Sequence, residues 1–66
     1  MNMAWVAVDK DGTEFIYNPE PYRDTVYFMW YIESDFYSRA IQLPKGTIKK
    51  LLGRELTWED EPVELT

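Results

Sequence analysis

Thr25-Val26-Tyr27-Phe28-Met29-Trp30-Tyr31-Ile32 is the most apolar run in the chain, and its reading decides the fold. It contains no Leu, Ala or Glu and is crowded with β-branched and aromatic residues, which fit a pleated surface better than a helix. Alternation along a strand puts Val26, Phe28, Trp30 and Ile32 on one face and Tyr27, Met29 and Tyr31 on the other. The run therefore predicts a central strand over residues 25–32, apolar on both sides.

Upstream, Asn18-Pro19-Glu20-Pro21 breaks any ladder, because two prolines in three residues lack the N–H groups that pairing needs, and the loop is expected to end near Asp24. Before it, residues 3–8 and 13–17 are β-prone and are separated by Asp9-Lys10-Asp11-Gly12. Aspartates stabilise a turn through their own backbone and Gly12 supplies a left-handed position, so these residues predict a first β-hairpin. Downstream, Glu33-Ser34-Asp35 reads as a turn. A further strand follows over about residues 38–43, with an irregular start at Phe36, and Pro44 ends it.

Lys45-Gly46-Thr47-Ile48-Lys49-Lys50-Leu51-Leu52-Gly53 predicts a short helix over about 47–52. Thr47 is placed to cap it, Ile48, Leu51 and Leu52 form its apolar stripe, and Gly53 terminates it. So short a helix is unstable alone and must dock on a sheet. In the tail, Thr57 followed by Asp60 resembles a capping box with Asp in the place usual for Glu or Gln. Pro62 limits it to one turn, Val63 and Leu65 fit a brief edge strand, and Trp58 is placed to close one end of the core. The expectation is an α+β fold over residues 1–66 as one domain. It has a small antiparallel sheet of three to four strands (about 3–8, 13–17, 25–32 and 38–43), one short helix packed on one face, and an ordered tail.

Sixty-six residues is little chain from which to build a core, and such domains usually carry a disulfide, a metal, a partner subunit or unusually large core residues. The sequence has no Cys and no His, while aromatic residues make up 17% of it, so large side chains are the expected replacement for staples. Absence of Cys also argues against the disulfide-rich secreted class. The opening residues MNMAWVAV are too short for a membrane span and carry no basic stretch, so neither a signal peptide nor a membrane role is expected.

The net charge of -5 disfavours general attraction to nucleic acid or anionic lipid. Its distribution is segmented. Residues 1–35 hold Asp9, Asp11, Glu14, Glu20, Asp24, Glu33 and Asp35 against Lys10 and Arg23. Residues 36–54 hold Arg39, Lys45, Lys49, Lys50 and Arg54 with no acid, and residues 55–66 hold Glu55, Glu59, Asp60, Glu61 and Glu64 with no base. The basic segment is either neutralised by its acidic neighbours or offered as a patch to an acidic partner.

Catalysis at neutral pH usually draws on a histidine, a thiol, a tuned lysine, a metal or paired carboxylates. Histidine and thiol are missing, so no catalytic residue and no cofactor is expected. Asp9, Asp11 and Glu14 around Gly12 invite a calcium reading, but aligning Asp9, Asp11 and Gly12 with an EF-hand loop leaves Ala7 and Asn18 at two ligand positions. Turn chemistry is the simpler account. Glu59, Asp60 and Glu61 read as a cap and a solvated surface, Glu33 and Asp35 share no evident cleft, and residues 44–50 lack the phosphate-loop order.

The remaining candidates are surfaces. Tyr27, Met29 and Tyr31 form a possible interaction face, and Arg39, Lys45, Lys49, Lys50 and Arg54 a possible basic patch. A tyrosine face edged by bases suits stacking on single-stranded nucleic acid. The many acids and the helix covering one face weigh against it. Tyr, Trp and Met are enriched at interface centres, so a protein partner or a homodimer is the expected ligand, rimmed by Tyr17, Tyr22 and Tyr37.

Two stretches, residues 5–14 (Trp-Val-Ala-Val-Asp-Lys-Asp-Gly-Thr-Glu) and residues 43–63, the latter including Leu43-Pro44-Lys45-Gly46 and Gly53-Arg54-Glu55-Leu56-Thr57-Trp58-Glu59-Asp60-Glu61-Pro62-Val63, resemble short uncharacterised proteins of gut Bacteroides-type bacteria and their mobile elements. The resemblance leaves residues 18–42 uncovered. It implies a cytoplasmic, bacterial or phage context and supplies no activity or site residue.

Overall fold

The structure, a computed structural model, describes residues 4–33 and 38–65. Among the described residues, six strands and one helix follow in the order β1 (Ala4–Val8), β2 (Glu14–Asn18), β3 (Tyr22–Asp24), β4 (Met29–Tyr31), β5 (Arg39–Leu43), α1 (Thr47–Leu52) and β6 (Val63–Leu65). β5, β2, β1 and β6 form an antiparallel sheet in that order, while β3 and β4 pair separately as a two-stranded hairpin. The α+β fold with a small antiparallel sheet and one short helix is as the sequence predicts. Among the described residues no helix is long and apolar enough to cross a membrane.

The first hairpin forms as expected, with Val6 opposite Ile16 and Ala7 opposite Phe15. Its turn uses the predicted chemistry. Gly12 adopts φ 90°, its N–H donates to the Asp9 carbonyl (2.9 Å), and the Asp11 carboxylate accepts from the Thr13 N–H (2.9 Å).

Strand alternation gives the sheet two apolar faces. Val6 and Val8 point to the side covered by α1, where they join Ile48 and Leu56, with Ile16, Leu43, Leu52, Val63 and Leu65 around them. Ala7 and Tyr17 point to the opposite side and pack with Trp30, Phe15, Ile32 and Trp58. The molecule is therefore three layers: helix, sheet, hairpin. The tail crosses from one core to the other within two residues, since Leu56 belongs to the helix side and Trp58 to the hairpin side. It then runs back as β6 beside β1.

Three expectations are corrected. Residues 25–32 are not a central strand. Only Met29–Tyr31 is extended, paired with Tyr22–Asp24 in a region read as loop, and β1 and β2 take the central places. The cause is local. The Asp24 carboxylate accepts from the N–H groups of Val26 (2.8 Å) and Tyr27 (3.1 Å), and Phe28 turns left-handed (φ 56°). That closes a four-residue loop in which side-chain-to-backbone bonds override β propensity.

Thr47 does not cap α1: its hydroxyl donates to the Pro44 carbonyl (2.7 Å). The cap residue is Gly46, and the acceptor comes from the sheet, where the Glu14 carboxylate takes the N–H groups of Gly46 (2.8 Å) and Ile48 (2.9 Å). Leu51 leaves the apolar stripe and is exposed, whereas Ile48 is buried. Helix termination is as predicted, with Gly53 left-handed (φ 79°) and donating to the Lys49 carbonyl. The turn read at residues 33–35, the irregular start at Phe36 and the rim position of Tyr37 fall on or run into residues outside the described set.

Candidate functional site

The alternation read from residues 25–32 holds over its second half. Trp30 and Ile32 turn inward, and Met29 and Tyr31 turn outward. In the hairpin Arg23 lies opposite Trp30, so these two share the inner face; Tyr22 lies opposite Tyr31 and Asp24 opposite Met29 on the outer face.

The inner face is fixed firmly. The Trp30 indole N–H donates to the Val8 carbonyl (2.9 Å), its backbone N–H donates to the Asp9 carboxylate (2.9 Å), and its carbonyl accepts from the Tyr17 hydroxyl (3.4 Å). Arg23 lies over both Trp30 and Trp58, with its guanidinium carbon 4.4 and 4.7 Å from the two ring centroids. It donates to the carbonyls of Trp58 and Asp60 and pairs with Glu61 (3.2 Å). One planar fork thus ties the hairpin to the tail, which a lysine could not reproduce.

The outer face is left to solvent. Tyr22 and Tyr31 lie against each other at 5.6 Å between ring centroids, and both are exposed. Of the predicted interaction residues, Tyr27 is 75% exposed, Met29 42% and Tyr31 46%. Met29 and Tyr31 share the strand face, and Tyr27 stands beside them on the loop. Tyr17, expected at the rim, is instead buried under Trp30.

The predicted basic patch is divided. Lys45 and Lys49 line a cleft of about 550 Å³ at the end of the sheet, together with Lys10. Asp9, Glu14, Glu55 and Glu59 line the same cleft, so it carries both signs of charge. Lys50 and Arg54 are exposed and do not line it. Arg39 sits at the other end of β5 and donates to the Ser38 carbonyl (2.8 Å).

The acidic turn residues point to three places: Asp9 to the Trp30 backbone, Asp11 to Thr13, and Glu14 to α1. Burial raises the Asp9 pKa, the hydrogen bond from the Trp30 backbone opposes this, and the Asp11 charge adds to the rise. Hydrogen bonding to Thr13 lowers that of Asp11. Burial, then the charge of Asp9, raises that of Tyr17.

Sequence reading missed Arg23 and Asp9 as the fasteners of the hairpin. Their partners lie 35 and 21 positions away, beyond any local signal. No protein family matches the chain, and no match is found among curated proteins or solved structures.

Proposed function

We propose that this protein is a non-enzymatic binding protein, that the outer face of the β3–β4 hairpin is its interaction surface, and that its partner is another protein. The observation that carries the reading is the unequal treatment of one short hairpin. Its inner face is anchored through Trp30 and Arg23, while Tyr22, Tyr27, Met29 and Tyr31 stand out in solvent. Tyrosine and methionine supply large contact area, and an anchored backbone reduces the ordering cost of association. A single strand of nucleic acid is the weaker fit. Lys49 and Lys50 lie on α1, on the helix side of the sheet, and Tyr22 and Tyr31 lie on the outer face of the hairpin on the other side.

Panning displayed random peptides on the immobilised protein tests the reading. Selected peptides should lose at least about tenfold in affinity for the Tyr27→Ser, Tyr31→Ser double variant. They should bind Lys49→Glu, Lys50→Glu as they bind the parent. The tyrosine variant should melt near the parent temperature. Peptides indifferent to the tyrosines would refute the hairpin surface.

A further inference from the structure

We infer that the cleft between the two hairpin turns receives a lysine or arginine side chain of the protein partner, an inference that rests on the hairpin face being the interaction surface. The cleft is lined by Asp9, Lys10, Asp11, Tyr27, Phe28 and Met29 and has a volume of about 390 Å³. Three features give it a chemistry.

The first is a cation already seated there. The Lys10 ammonium lies 4.3 Å from the centroid of the Phe28 ring, so the chain's own side chain uses the aromatic wall as a cation–π surface. The second is the pair of carboxylates. Asp9 is only 9% exposed, and one of its oxygens accepts from the Trp30 N–H. Among the described residues no donor reaches the other oxygen. Asp11 stands beside it, exposed.

The third is the backbone of Phe28. It is the one non-glycine residue with positive φ among the described residues, at a turn position where glycine or asparagine is easier. The strained conformation places the ring between Lys10 and Trp58, which it meets edge-on at 6.4 Å.

Charge favours the same occupant. At the turn end of the hairpin Asp9, Asp11 and Asp24 outnumber Lys10 and Lys45, the latter lying beside Gly12, and Arg23 is turned inward against Trp30 and Trp58. A partner's ammonium or guanidinium takes the place of Lys10 on the ring, and Lys10 moves into solvent.

The test is a titration of the full ¹⁵N-labelled protein with Nα-acetyl-lysine methylamide, its arginine counterpart and its norleucine counterpart. The two cationic probes should shift the amide signals of residues 10, 11 and 27–29 saturably, and norleucine should not. Asp11→Asn retains an acceptor for Thr13 and should weaken the lysine probe about threefold or more. Phe28→Gly should abolish its binding in a protein that still folds, as near-parent amide dispersion would show. Lys10→Gln should strengthen binding by removing the internal competitor. Equal binding of norleucine, shifts mapping elsewhere, or no gain from Lys10→Gln would overturn the inference. Hairpin-dependent peptides lacking Lys and Arg would also overturn it while leaving the hairpin surface standing. A concentration-dependent dimer dissolved by Lys49→Glu, Lys50→Glu and by Asp11→Asn would assign the occupant to a second copy and overturn it as well.

Discussion

The chain contains two antiparallel hairpins that look alike in composition and do opposite work. In β1–β2 both faces are covered, one by α1 and one by the second hairpin, and Val6, Ala7 and Val8 are all buried. In β3–β4 only the inner face is covered, and Tyr22, Met29 and Tyr31 of the outer face, with Tyr27 on the adjoining loop, are exposed. A hairpin in the middle of three layers is held by packing along its whole length. An outer hairpin is held at points, here Trp30 and Arg23. Aromatic residues thus serve two purposes in one small molecule: they fill a core that lacks disulfides, and they furnish a surface.

The largest expected break in this contrast is Trp30→Ala. It removes the largest buried side chain of the hairpin-side core together with its bond to Val8, and should cost about 3–5 kcal/mol, enough to unfold a domain of this size. Loss of the cooperative urea transition, or of the near-ultraviolet aromatic signal, measures it. A small loss would mean that the hairpin is not part of the cooperative fold.

Arg23→Ala comes next, at about 1.5–3 kcal/mol, because charged hydrogen bonds to two carbonyls and two ring faces are lost together. Arg23→Lys should recover only part of that in the same urea titration. On the other side of the sheet, Glu14→Ala removes both acceptors at the start of α1 and should cost about 1–2 kcal/mol. Faster amide exchange in residues 46–50 should accompany it, with the β3–β4 hairpin unaffected.

The smallest effect has the opposite sign. Because burial raises the Asp9 pKa, the folded protein holds that proton more tightly than the unfolded chain, and the ionised form costs stability at neutral pH. Asp9→Asn keeps an acceptor for the Trp30 N–H and should raise the melting temperature at pH 7. The advantage should shrink as pH falls through the folded pKa and vanish below the ordinary value of 3.8, where Asp9 is protonated in both states. Asp11, whose pKa is lowered, contributes in the other direction, so the difference between variant and parent isolates Asp9.

Local chemistry was the legible part. The Asp9–Gly12 turn, the helix over 47–52 with its Gly53 stop, the strand near 38–43, the brief strand at 63–65 and the single turn at Thr57–Asp60 each depend on residues a few positions apart. Met29 and Tyr31 share a face as alternation predicts, whereas Tyr27 lies in the loop, where alternation does not apply. The long strand over 25–32 failed because Asp24 captures two backbone N–H groups ahead of it. The five bases of one sequence segment are divided in space, Arg39 at a strand end, Lys45 and Lys49 in a cleft, Lys50 on the helix and Arg54 after it.

The sequence by itself determined an α+β domain, antiparallel and built on aromatic bulk, because length, the lack of Cys and residue periodicity constrain those properties directly. Only the tertiary structure decided which aromatic run lies in the middle of the sheet and which lies outside it. Each candidate strand is apolar enough for either place. The choice rests on contacts between residues far apart in the chain: Glu14 with α1, Asp9 with Trp30, and Arg23 with the tail. Tyr22, Met29 and Tyr31 on the outer face of the β3–β4 hairpin stay exposed, and that is where the surface proposed for binding arises.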